Sequence, residues 1–542
     1  MDRHVTQTEA SNRSYTRLLG LVGLLALAGG CADPGDGSSG SETATATADE
    51  TDVGTTNPST GGETDSTAVD TEVETTEGTS GETDSETGVD TLPPGPWDQG
   101  VVLPPGEQVP GDPEAGYDAL LNNGYVTCGI PYTLFQLGKG ALGTFADGDP
   151  LPGRVGKNAE VPYNWTVHDR NGADITSLNC LTCHAGKING ELVLGLGRVD
   201  IDYTDNLGET LGGIPVPDLP ILGLDELAKF VARYKAIGPF IQMKTVGTNP
   251  ADMLAVLLAS HRDAQTLNWS DEPLVEIPHD VIAVDTPPWW RVKKKNALFA
   301  NGMARGDHRG TMMFASSLCT DTVAEAESVM SYFNDINAYI QSLTAPVYPF
   351  AIDAELAAEG EPLFVANCSG CHGTYASDPE LETYPNKIFP LDLVGTDPVV
   401  ASYASNDVRF MVDWYNMSYY GTLTQIDVET PFPGYVAPPL DGVWATAPFF
   451  HNASVPTLEL VLNSEARPTY WKRVDFDSTN FDKEDVGWPY IELAYGQADA
   501  SDEERRYIYD TTVIAHGSGG HTFGDHLSPS ERRAVVEYLK TL

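Results

Sequence analysis

The sequence predicts a mainly α body in two domains with long irregular connections, preceded by a disordered tether. Runs with apolar residues recurring at three and four, such as LDELAKFVARYKAIG, NPADMLAVLLASHRD and SVMSYFNDINAYIQSL, outnumber stretches of period two. The unit Cys-x-x-Cys-His occurs twice, at residues 180–184 and 368–372, far enough apart for one in each domain. A low-complexity acidic stretch separates both units from the N-terminus. With 542 residues, 41% of them hydrophobic, the chain can supply more than one core.

Residues 1–31 read as a signal peptide. Arg3, Arg13 and Arg17 precede the apolar run LLGLVGLLALAGG, whose thirteen residues are too few to span a bilayer. The box Leu27-Ala28-Gly29-Gly30-Cys31 is similar to a bacterial lipoprotein cleavage site, which makes Cys31 the expected lipid anchor. The implied location is the bacterial outer membrane, facing the periplasm or the surface. Residues 32–97 are the tether. Up to residue 93 it holds sixteen acidic residues and no Lys or Arg, a composition that cannot bury enough apolar surface to fold. As a flexible coil it would hold the body about 45 Å from its anchor.

The formal charge of -47 leaves -32 on residues 94–542. Such an acidic body argues against nucleic acid as a partner and for a cationic protein, such as a cationic cytochrome, or a neutral substrate. A first domain is expected over 98–346, ending where TAPVYPF stops a helix, and a second over 347–542. AELAAEGEPLFVAN should be the helix leading into the second unit. SPSERRAVVEYLKTL should close that domain, because Ser528 and Glu531 form a capping box, Pro529 suits the first turn, and Val535, Tyr538, Leu539 and Leu542 share a face.

Of seven cysteines, Cys180, Cys183, Cys368 and Cys371 belong to the two repeated units. A thioredoxin-like dithiol needs no following histidine, and a zinc ribbon brings its two halves much closer together. Covalent haem c needs all five positions: two thiols add to the vinyl groups, and the adjacent His184 or His372 reaches the iron. Two haem c groups are therefore expected. Cys128 and Cys319 remain, either as a disulfide or as two separate buried thiols.

Two such units followed by ATAPFFHNASVPTLELVL resemble the bacterial dihaem cytochrome c peroxidase superfamily, with Thr446, Ala447, Pro448, Phe450, His451 and Ser454 matching its TAPYFHDGS-type segment. Two features depart from the peroxidases. Glu465 stands where they carry a methionine ligand, and their FWDGR-type segment has no counterpart here. The rubber-oxygenase-like branch is more similar, over GYVTCGIPY, LNCLTCHAGKINGELVLGLG, TPPWWRVKKKN, YPFAID, PPLDGVWATAPFFHNASVPTL and GHTFGDHLSPSERRAVVEYLKTL. The resemblance implies a first haem with an open distal site for dioxygen and a second, low-spin haem with two histidine ligands.

His521, in the glycine-flanked GGHTFG loop of the branch's terminal motif, is the expected distal ligand of the second haem. His516, His526, His451 and Met417 are its rivals, and His451 reads more simply as a packed, hydrogen-bonded histidine. Trp289 and Trp290 either relay electrons or shape the distal pocket, or are core. Arg291 and Lys293, from the basic cluster running to Lys295, either contact haem propionates or form a solvated helix start. Phe299 and Phe314 line the oxygen-binding face or pack in the core. The expected activity is oxidation of an apolar substrate, of which unsaturated hydrocarbons are the leading class, by dioxygen at the first haem. The second haem serves electron transfer. A pure electron-transfer cytochrome and a dihaem peroxidase are the alternatives.

Overall fold

Four of the helices read from apolar spacing lie where the sequence puts them: Leu224–Ile237, Ala251–Ser260, Val323–Ser342 and Ala354–Asn367. So does the closing helix Pro529–Leu539, whose Ser528 and Glu531 form the capping box. The computed structural model describes residues 95–212, 221–277, 280–406, 409–426 and 431–542. The signal peptide, Cys31 and the tether up to residue 94 lie outside the described residues. Among the described residues, no helix is long and apolar enough to cross a membrane.

The mainly α expectation is corrected. The described chain is about 41% helical and 13% strand, a mixed architecture with several small sheets. All named strand pairs are antiparallel. The clearest are two hairpins on either side of the first Cys-x-x-Cys-His unit. Trp165–Arg170 pairs with Ala173–Leu178, and Ala185–Ile188 pairs with Glu191–Leu194. Each turns on an Asn-Gly pair, Asn171-Gly172 and Asn189-Gly190, with φ of 54° and 83° in the first and 51° and 83° in the second. Two consecutive left-handed residues make the turn whose twist matches paired strands, and Asn-Gly tolerates it best. The strands are only four to six residues long, too short to show in a search for period two, whereas the turn pairs were legible in RNGA and INGE.

Two larger cores organise the body. The first gathers the Pro113–Asn122 helix, the hairpin face of Trp165 and Val167, and the helices at 224, 251 and 323, and it also takes Val400, Trp414, Tyr420 and Tyr435 from later in the chain. The Cys128–Cys319 disulfide lies inside it and links segments 191 residues apart. The second core joins Phe364, Trp444, Leu458, Trp488 and the closing helix, together with Trp290 from earlier in the chain. Closing helix and Ala354–Asn367 helix cross tightly at Gly360, where an added Cβ would meet the Ala534 carbonyl at 2.0 Å, and Phe364 and Tyr538 pack beside the crossing at 5.2 Å. Gly360 is thus required for the approach of the two helices that position the second unit.

Candidate haem sites

The first unit occupies a single tight turn. Asn179 caps it by accepting from the Leu181 amide, and the amides of Cys183 and His184 both donate to the Cys180 carbonyl. The Cys180 amide donates to the Tyr125 hydroxyl at 3.0 Å, and the Cys183 sulfur lies 3.5 Å from the Tyr203 hydroxyl. The following hairpin leads to Gly195 (φ 88°), whose carbonyl accepts from the Trp289 amide and whose missing Cβ leaves room for Trp289. Trp289 then stacks on the His184 imidazole, ring centres 4.8 Å apart and planes 26° from parallel. Burial lowers the His184 pKa to about 4, with the Pro287 carbonyl acting more weakly the other way, so its imidazole is neutral.

The second unit follows directly from the Ala354–Asn367 helix. Its His372 is fixed by a 2.8 Å contact between Nδ1 and the Pro438 carbonyl, which makes Nδ1 the donor and leaves Nε2 free to ligate. Facing it is His521, with ring centres 6.2 Å apart. Two metal–nitrogen bonds of about 2 Å plus the half-widths of two imidazoles need ring centres roughly 6 Å apart. The gap therefore fits an iron held from both sides. Burial lowers both histidines, His521 to about 3 with His372 and Arg467 adding to the effect, so both are neutral, as metal ligands must be. His184, His372 and His521 are all surrounded by protein yet keep some water-reachable surface, so each borders an interior space rather than close-packed core.

His521 has a left-handed backbone, φ 49°, an uncommon state for a residue with a side chain, and the surroundings hold it there. Its amide donates to the Val394 carbonyl at 2.7 Å. The Arg467 guanidinium donates to five carbonyls, those of Leu460 and Val461 on one segment and of Ser518, Gly520 and His521 on the loop. Gly520 passes so close to Gly395 that a Cβ would meet its carbonyl carbon at 2.0 Å. Sequence reasoning missed Arg467, which carries no motif and shows its role only through contacts between segments about 50 residues apart.

The rival ligands are engaged elsewhere. His451 is stacked on Tyr435 at 4.2 Å, with its Nε2 3.0 Å from the Tyr435 hydroxyl. The His516 Nδ1 is 2.8 Å from the Ile514 carbonyl, His526 is exposed, and Met417 is 63% exposed. Phe314 packs edge-on to Trp414 and Tyr420 in the first core, and Phe299 lies against the same core from a left-handed φ of 63°.

The tryptophan pair spans both sites. Trp290, 1% exposed, donates from Nε1 to the Asp441 carbonyl at 2.8 Å, and Arg291 Nε donates to the same oxygen at 2.9 Å. That carbonyl is three residues after Pro438, which holds His372. A single turn therefore runs from the stack on His184 to the strap over His372. Lys293 is exposed and donates to the Leu343 carbonyl, while Lys294 pairs with Glu382 and Asp441.

The thiols are not built for dithiol exchange. Burial pushes Cys180 up to about 11, Cys368 to about 12 and Cys371 to about 11, whereas a reactive dithiol needs a lowered pKa. Among the described residues, no group of three His, Cys, Asp or Glu side chains is placed to hold a metal ion by itself. A covalently attached haem supplies its own four nitrogen ligands and needs only the axial histidines and the thiols.

Comparison with known proteins agrees with this chemistry. Residues 434–472 match a family model described as RoxA-like, cytochrome c-like. That stretch contains Pro438, Asp441 and Arg467, just described around His372 and His521, and also His451. Two proteins of Sinorhizobium fredii are also similar. The chain is 26% identical to uncharacterized protein y4iJ over 294 residues, 42% of this chain and 47% of y4iJ. It is 27% identical to uncharacterized protein y4iM over 318 residues, 52% of this chain and 68% of y4iM. The chain thus spans about half the length of y4iJ. A cytochrome c-like domain implies covalent haem c, and the chain carries a RoxA-like c-type cytochrome domain.

Proposed function

We propose that the protein is a dihaem c-type oxidoreductase in which dioxygen oxidises an apolar substrate at the haem held by Cys180, Cys183 and His184. Cys368, Cys371, His372 and His521 would hold a second haem, which would supply electron transfer. The observation that carries this reading is the unequal surroundings of the two histidines: an imidazole faces His372 at 6.2 Å, whereas among the described residues no second imidazole is in ring contact with His184, whose neighbouring ring is the Trp289 indole stacked on its face. When bound, haem supplies one-electron chemistry and, where a coordination position is open, a place for a gaseous ligand.

The chain's own residues do the rest. Trp289 orients the His184 imidazole by stacking, and burial keeps that imidazole neutral. Pro438 fixes the His372 tautomer, and Arg467 holds the His521 loop. Trp289 and Trp290, adjacent in sequence and buried, offer a short path between the sites. Anchoring through Cys31, the acidic tether and a cationic redox partner complete the reading. They rest on the signal-like N-terminus, the sixteen tether carboxylates and the acidic body.

The test is to count haem by pyridine haemochrome and record optical and EPR spectra with and without carbon monoxide or imidazole. Two haems per chain, one low-spin and indifferent to added ligand and one that binds it, is the expected result. Two low-spin haems that ignore added ligand would leave a pure electron-transfer cytochrome and end the oxygenase reading. Unsaturated hydrocarbons and peroxide are the first substrates to screen.

A further inference from the structure

Two cations in the interior have, among the described residues, no carboxylate within ion-pair distance, although Asp441 and Asp285 act on Arg291 from further away. Arg291 is 7% exposed, and only its Nε has a partner, the Asp441 carbonyl; its Nη2 is enclosed with none. The nearby Asp441 carboxylate pairs through Oδ1 with Lys294, and its Oδ2 makes no hydrogen bond to Arg291. Lys295, four residues on, is surrounded by protein yet keeps some water-reachable surface, so its ammonium borders an interior space. Among the described residues, no carboxylate lies within ion-pair distance of either Arg291 or Lys295, although Arg198, Arg309, Arg506 and Arg532 all have one. Burying an uncompensated charge costs several kcal/mol, so such groups are retained where an anion meets them.

The location says which anion. Arg291 lies within electrostatic reach of His372 and helps to lower its pKa, and Tyr375 and Tyr384, on the segment after the second Cys-x-x-Cys-His unit, lie close to Arg291. Lys295 is close enough to Arg291 to feel its charge. We infer that Arg291 and Lys295 form a carboxylate-binding cradle for the propionate groups of the haem at His372. This rests on the two-haem reading and moves the lysine contact from the exposed Lys293 to the interior Lys295. A guanidinium and an ammonium on one turn offer charge-assisted bonds to two carboxylates, and neutralising them in a poorly solvated space raises the affinity of that iron for an electron.

The experiment is a redox titration of the holoprotein, following the optical bands of the low-spin and the ligand-binding haem separately, in wild type, Lys295→Met, Arg291→Lys and the exposed control Lys293→Met. Haem is counted in every sample. The expected result is two haems throughout and, in Lys295→Met, a ratio of reduced to oxidised low-spin haem lowered on the order of tenfold at fixed potential, the effect of losing one unit charge in a medium of intermediate dielectric. Arg291→Lys, which keeps the charge but loses the fork, should move the same haem less, and Lys293→Met should move neither. Two haems with an unchanged low-spin potential in Lys295→Met, or a shift confined to the other haem, would overturn the cradle and leave the two-haem reading standing. A wild type with a single haem would overturn that reading, and the cradle with it.

Discussion

At the first Cys-x-x-Cys-His unit the chain arrives from one β-hairpin and leaves into another, whereas at the second it arrives from a fourteen-residue helix. The first histidine is stacked by an indole; the second is held by the Pro438 carbonyl and faces another imidazole. The same five residues thus sit in two environments. The motif sets how a haem is attached, while the chain around it sets how many protein ligands the iron receives. Under the proposed two-haem reading, an iron at His372 would have a histidine on both sides and an iron at His184 on one, a division that would let one react while the other only changes oxidation state.

The largest test of this contrast removes one site at a time. Replacing Cys368 and Cys371 by alanine should halve the haem count and remove the low-spin spectrum while the ligand-binding haem persists. The matching change at Cys180 and Cys183 should do the reverse. Equal spectral losses from both pairs would show that the sites are not independent. Next in size, His521→Ala should convert the second haem to a high-spin, carbon monoxide-binding form without altering the first. An unchanged EPR spectrum would remove His521 as a ligand. Arg467→Ala should produce a partial version of the same change, a mixture of spin states, because the His521 loop loses three of its carbonyl contacts while the imidazole itself remains. Trp289→Phe should alter only the spectrum of the first haem, and modestly, since a smaller ring still stacks on His184.

How much of this the sequence disclosed differs between the two sites in the same way. The helices flanking the second unit repeat at 3.6 over three or four turns and carry a capping box, so they could be read directly. The strands flanking the first unit are too short for periodicity, and only their Asn-Gly turns announced them. His521 was legible because glycines surround it, and one of them, Gly520, is needed for the close approach to Gly395. Arg467, Pro438 and Lys295 were not, because each acts through contacts with distant segments, and nothing in a run such as SEARPTY or VKKKN tells which cation turns inward.

The smallest expected effect concerns the core around the first unit. Asp252 opens the Ala251–Ser260 helix, whose Met253, Val256 and Leu257 belong to that core. Burial alone raises its pKa from 3.8 to about 6, with no cation offsetting it. A carboxyl whose folded pKa lies above its unfolded value holds its proton more tightly when folded. Its stabilising contribution is therefore complete below about pH 4 and is lost as the pH rises through about 6. A shift of that size corresponds to about 3 kcal/mol, and the water still reaching this carboxyl reduces it to about 1–2 kcal/mol. Asp252→Asn should accordingly flatten the fall in Tm of the holoprotein between pH 4 and 7 and raise Tm at pH 8 by a few degrees, leaving both haem spectra unchanged. A variant whose Tm follows the wild-type curve across that range would mean that Asp252 is solvated in the holoprotein.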